Sequence, residues 1–156
     1  MTRIIKVKVG KEGKLFIHYQ KETDNQGWDD YTMDSSESPS PSLYDAMNNL
    51  RQSVIELCEF ADSDLEKILI RGVTFSWAND VMGATITAQR KLAKSNMNLN
   101  INTPHKVSEF YSGGDVGDNK QLLSTATIDI LNDIQNEVEK YINGERAQMG
   151  LFAATA

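Results

Sequence analysis

Twice along this chain the apolar residues are spaced for strands and then for a helix. An apolar residue at every second position gives a strand one dry face. A 3.6-residue spacing gives a helix one dry stripe. Residues 3–9 place Ile5, Val7 and Val9 on one side and Lys6 and Lys8 on the other. Residues 14–21 set Leu15, Ile17 and Tyr19 against Phe16, His18 and Gln20, and residues 28–34 read as a third, short strand. Leu43, Met47, Leu50, Val54, Leu57, Cys58 and Ala61 then keep helical spacing, which predicts a helix over residues 41–61.

The second half repeats the order in pattern, not in residue identity. Residues 67–77 read as a long strand, with Gly72 at a bulge or bend. Residues 82–92 set Ala84, Ile86 and Ala88 against Thr85, Thr87, Gln89 and Lys91, and residues 96–102 alternate Met97, Leu99 and Ile101 with asparagines. The last helix is predicted over residues 119–143, with Leu123, Ile130, Leu131, Ile134, Val138, Tyr141 and Ile142 as its stripe. The predicted architecture is an α+β two-layer sandwich, antiparallel strands with two long helices in the order β-β-(β)-α-β-β-(β)-α. Residues 1–144 form a single domain, and residues 145–156 form a tail.

The connections carry turn chemistry. Gly10-Lys11-Glu12-Gly13 reads as a hairpin turn, and Ser40 with Pro41 as a helix cap and first helical position. Asn143-Gly144 reads as a helix stop.

No run of apolar residues is long enough for a transmembrane helix, and residues 1–6 have no apolar signal core. Cys58 is the one cysteine and falls in the apolar pattern of the first helix, which reads as a buried, reduced residue in a cytoplasmic protein. The net charge is −6, which argues against a strong general nucleic-acid binder. The charge is uneven, however. Residues 1–21 and 66–106 are basic, while residues 22–45 are acidic.

The chemistry-bearing patterns are few. His18 and His105 are the only histidines, and no His/Cys cluster with ligand spacing is present, so no metal site is expected. Asp24–Asp34 lacks the spacing of a calcium loop, and Ser112-Gly113-Gly114-Asp115-Val116-Gly117 lacks the lysine of a phosphate-binding loop. No catalytic residues and no cofactor are predicted. One surviving constellation is Thr85, Thr87, Gln89, Arg90, Lys91 and Lys94, beside Lys6 and Lys8. It reads either as a solvated sheet face or, with aromatics such as Phe16 and Trp77, as a surface for single-stranded nucleic acid. The other is the turn Asn102, Thr103, Pro104, His105 and Lys106, either a capped strand end or a small-ligand site.

The tail holds Gln148-Met149-Gly150-Leu151-Phe152. Two adjacent large apolar side chains beyond a helix stop predict an anchor, for a partner's pocket or for the chain's own core. The pattern Gln-x-x-Leu-Phe resembles the bacterial sliding-clamp-binding pentapeptide. The resemblance implies that Gln148 hydrogen-bonds at one end of a clamp groove and that Leu151 and Phe152 fill its apolar pocket. Met149 stands in for the usual Leu, and Gly150 departs from the usual small polar residue. Over residues 67–152 the chain also looks like a group of uncharacterised phage and prophage proteins, through Gly72–Ser76, Met82–Leu92, Leu99–Lys106 and Tyr141–Gln148. That resemblance implies a setting of phage DNA metabolism and no particular activity. The expected protein is a non-enzymatic accessory factor of DNA replication or recombination with the bacterial DNA sliding clamp as partner. A small-ligand-binding or sequestering (counter-defence) protein and a single-stranded-DNA binder using a basic sheet face are the alternatives.

Overall fold

The computed structural model describes residues 1–10, 13–109 and 119–145. The sheet comprises β1 (Thr2–Val9), β2 (Leu15–Glu22), β3 (Trp28–Ser35), β4 (Ile68–Ala78), β5 (Val81–Arg90), β6 (Leu99–Asn102) and β7 (Lys106–Val107). All the pairings are antiparallel, in the order β3-β2-β1-β4-β5-β6, with β7 also on β5. Helices α1 (Pro41–Asn48), α2 (Arg51–Cys58) and α3 (Thr125–Ile142) complete the fold. The α+β architecture and its strand–helix order follow the sequence periodicity.

Helix α1 packs against α3, and the helices reach the sheet at β1 and β4. They bury one face of it. Val7, Ile17, Val73 and Ile86 lie in one register row across four strands and are at most 1% exposed. Leu50, Val54, Leu131, Ile134 and Val138 join the same apolar cluster from the helices, which makes one continuous core.

Two bulges decide which side chains enter that core. In β4 the register shifts between Ile70 and Gly72. The inward residues are therefore Ile68 and Ile70 before the shift and Val73 and Phe75 after it. Gly72 is required there, because a Cβ on it would lie 2.5 Å from the Val7 carbonyl oxygen. In β1 a shift between Ile4 and Lys6 corrects the simple alternation. Ile4 is buried instead of Ile5, since the extra residue reverses the facing of everything before it.

The helices also depart from their predicted bounds. The helix expected over residues 41–61 is two, α1 and α2, joined through Asn49 and Leu50. The joint is tight. Leu50 N–H donates to the Met47 carbonyl at 3.0 Å, and Val54 N–H donates to the Leu50 carbonyl at 3.0 Å. Asn48 and Asn49 are poor helix formers, and Leu50 is fixed in the core, which favours the break there. α2 stops at Glu59, a left-handed residue (φ 56°), where Phe60 N–H reaches back to the Ile55 carbonyl at 3.0 Å. α3 begins at Thr125, later than residue 119, because Ser124 caps it by accepting from Thr127 N–H at 3.2 Å. No described helix is long and apolar enough to cross a membrane.

Candidate functional site

Among the described residues, the face of the sheet away from the helices is left uncovered. In one register row it carries Asp34, Phe16, Lys8, Gly72, Thr87 and Asn102; the next carries Thr32, His18, Lys6, Thr74 and Thr85. The structure therefore brings Lys6, Lys8, Thr85, Thr87 and Gln89 to one surface, as the alternation of β1 and β5 predicts. Arg90 does not belong to it. It lies opposite Ile68, and its guanidinium donates to Asp64 Oδ1 at 2.9 Å. That hydrogen bond, with the charges of Arg90 and Lys67, holds the Asp64 carboxyl below the usual carboxylate range despite some desolvation. Lys91 and Lys94 are exposed beyond the end of β5.

The β4 bulge shapes this face. It adds Gly72 to the outward row, so no side chain stands between Lys8 and Thr87, and Arg71 lies beside it. Near it lies a cleft of about 480 Å³, lined by Lys8, Arg71, Thr87, Gln89, Asn100 and Asn102. Its side chains are ordered by their own hydrogen bonds. Arg71 Nε donates to Gln89 Oε1 (3.1 Å), which also accepts from Asn98 Nδ2 (3.4 Å). Gln89 Nε2 donates to Asn100 Oδ1 (3.1 Å), and Thr87 Oγ1 donates to Asn102 Oδ1 (3.1 Å). Sequence reading missed Arg71. The signal for it was the apolar spacing across Arg71-Gly72, which jumps from Ile70 to Val73.

The turn after β6 is built into the sheet edge. Thr103 is buried; its hydroxyl accepts from Ile86 N–H at 2.9 Å, and its own N–H donates to the Ile86 carbonyl at 3.0 Å. Thr103 thus continues the ladder between β6 and β7 while Pro104 passes outside it. His105 Nε2 lies 2.7 Å from Ser76 Oγ, and its ring covers Gly83, where a Cβ would come within 2.5 Å of it. Lys106 pairs with Ala84 in β7. Of this set, only Asn102 lines the cleft.

On the β2–β3 side, Asp30 Oδ1 contacts His18 Nε2 at 2.8 Å and accepts from Gln20 Nε2 at 3.0 Å. The His18 contact, then that of Gln20, lowers the Asp30 pKa from its ordinary value. Trp77 is not a free stacking platform. Its Nε1–H donates to the Ile4 carbonyl at 3.0 Å, and the Arg3 guanidinium, bonded to Asp80, lies 5.5 Å from its ring and 4.0 Å from that of Trp28.

The helical face offers a groove of about 680 Å³ between α1 and α3, with Asp45, Asp133, Glu137 and Glu139 on its walls. Among the described residues no group of three His, Cys, Asp or Glu is placed to hold a metal ion. Cys58 is half-buried against the core, and burial pushes its thiol pKa up, away from a reactive thiolate.

The predicted clamp-binding residues Gln148, Met149, Leu151 and Phe152 lie outside the described residues, as does the Gly/Asp-rich loop. Comparison with known proteins finds no matching family model, no matching curated protein and no matching solved structure.

Proposed function

We propose that this chain is a non-enzymatic accessory protein of phage DNA replication or recombination, which docks on a bacterial sliding clamp through Gln148, Met149, Leu151 and Phe152. The observation that carries the reading is the pattern Gln-x-x-Leu-Phe just beyond a closed helix end. α3 finishes at Ile142, Gly144 turns the chain with φ +108°, and Glu145 N–H returns to the Lys140 carbonyl at 3.0 Å. The described helix thus ends at Ile142, ahead of Gln148 in the sequence. Burying a Leu and a Phe contributes about 1.5–3 kcal/mol each. Hydrogen bonds from Gln148 add to this, and the cost of ordering Gly150 subtracts from it.

Calorimetry of the full chain against a bacterial sliding clamp tests this. Binding at roughly micromolar Kd should weaken about 100-fold or more in Leu151→Ala/Phe152→Ala, with an unchanged melting temperature. No binding by the parent chain overturns the proposal. So does a double variant that melts several degrees lower, which would make the two residues part of the chain's own core.

The single-strand reading draws on Lys6 and Lys8 at the centre of the open face. It is weakened by Asp30 and Asp34 in outward positions on β3 and by the covered ring of Trp77.

A further inference from the structure

We infer that the cleft spanning β1, β4, β5 and β6 is a binding site for a phosphate-bearing ligand, held by Arg71 and Lys8 and by the amides of Asn100 and Asn102. The direction of the hydrogen bonds in the wall sets the chemistry of the cleft. Each side-chain amide carries both an acceptor and donors. Here the acceptors Gln89 Oε1, Asn100 Oδ1 and Asn102 Oδ1 are all engaged by neighbouring donors within the wall. What remains for the cleft is donor chemistry: the outer nitrogens of Arg71, the ammonium of Lys8, and the Nδ2 groups of Asn100 and Asn102. Among the described residues no carboxylate lines the cleft, although the chain as a whole is acidic.

A surface whose amide oxygens already accept within the wall, while its amide and guanidinium nitrogens can donate outward, favours an acceptor-rich anion. A phosphoryl group is such an anion, and a guanidinium can meet two of its oxygens at once. Arg71 is prepared for this. Its Nε is fixed by Gln89, so less side-chain freedom is lost when its outer nitrogens engage a ligand. Lys8 has no ion-pair partner among the described residues. The volume of about 480 Å³ is in the range of small-ligand sites and accommodates a mononucleotide-sized molecule.

The site does not depend on the tail. Its test is calorimetry of the full chain at low ionic strength with inorganic phosphate, deoxythymidine 5′-monophosphate, thymidine and an oligo-dT strand. The monophosphate should bind and thymidine should not. Lys8→Gln and Arg71→Gln should each weaken binding about 10-fold or more at unchanged circular dichroism. Amide resonances of Gly72, Thr87 and Asn102 in the unsubstituted protein should move on adding the monophosphate, a readout independent of any variant. If only the oligonucleotide binds, and both substitutions weaken it, the phosphate is that of a strand and the site stands. No binding of any phosphate compound at about 10 mM overturns the proposal. So does binding that both variants retain, or amide shifts confined to other parts of the sheet.

Discussion

Replacing Gly72 with Ala tests the β4 bulge and the core register it sets. The added Cβ would sit 2.5 Å from the Val7 carbonyl oxygen and 3.2 Å from Lys8 Cα. Both are backbone atoms of the adjoining strand, so no side chain can swing aside. Relief requires β1 and β4 to separate by several tenths of an ångström where Val7 pairs with Val73 and Lys8 with Gly72. Undoing the bulge instead would turn Val73 and Phe75 out of the core, at a far larger cost. The strain therefore stays at the strand pair, and overpacking of this kind costs about 1–3 kcal/mol. The upper half of that range applies, because the opposing atoms are main chain. For a chain of this length that lowers the melting temperature by roughly 5–10 °C. Urea unfolding followed by circular dichroism measures it, with an unchanged m-value as the check that the two end states are the same. Gly10→Ala is the internal control. Its Cβ would meet nothing closer than 3.6 Å, so its stability should stay within about 0.5 kcal/mol of the parent. A Gly72→Ala protein as stable as the Gly10→Ala protein would refute the reasoning.

Two further outcomes follow from polar contacts. Thr127→Val should destabilise by about 1–3 kcal/mol in urea, because it strands the buried Ser53 hydroxyl, now 2.7 Å from Thr127 Oγ1. Adding Ser53→Ala should recover part of the loss, and an unchanged deficit in the double variant would show that the pair is not coupled. The Asp30 carboxyl, held below its ordinary value chiefly by His18, should titrate higher in His18→Gln when followed by carboxyl-carbon NMR. The folded value is the depressed one, so the contact stabilises at pH above the carboxyl's unfolded value and is lost as pH falls through the folded value. An Asp30 titration indifferent to His18→Gln would rule out that cause.

Most of the fold was legible because β2, β5 and the helices keep their periodicities over whole elements. Ile17, Ile86 and Leu131 face the core as the spacing predicts. The failures have local causes. The β1 bulge at Ile5 has no glycine to mark it; it exists because β1 must match β2 on both sides of the shift. β7 is two residues long and depends on distant partners in β5, so no window of sequence announces it. The cleft was legible only in pieces. Lys8, Thr87, Gln89 and Asn102 stood out separately, but Arg71 joins them through a register shift.

The broken ladder of β6, Thr103 and β7 also governs what the sheet can do in company. A sheet edge with unspent N–H and C=O groups invites a strand from another molecule. On this side, Pro104 has no N–H to donate and interrupts the edge between two short strands. On the far side, β3 presents Asp29, Asp30 and Asp34, so two copies meeting edge to edge would set like charges against each other. Both margins of the sheet are thereby poor templates for a further strand. The chain can hold a wide, one-sided sheet open to water without that sheet growing from one molecule into the next.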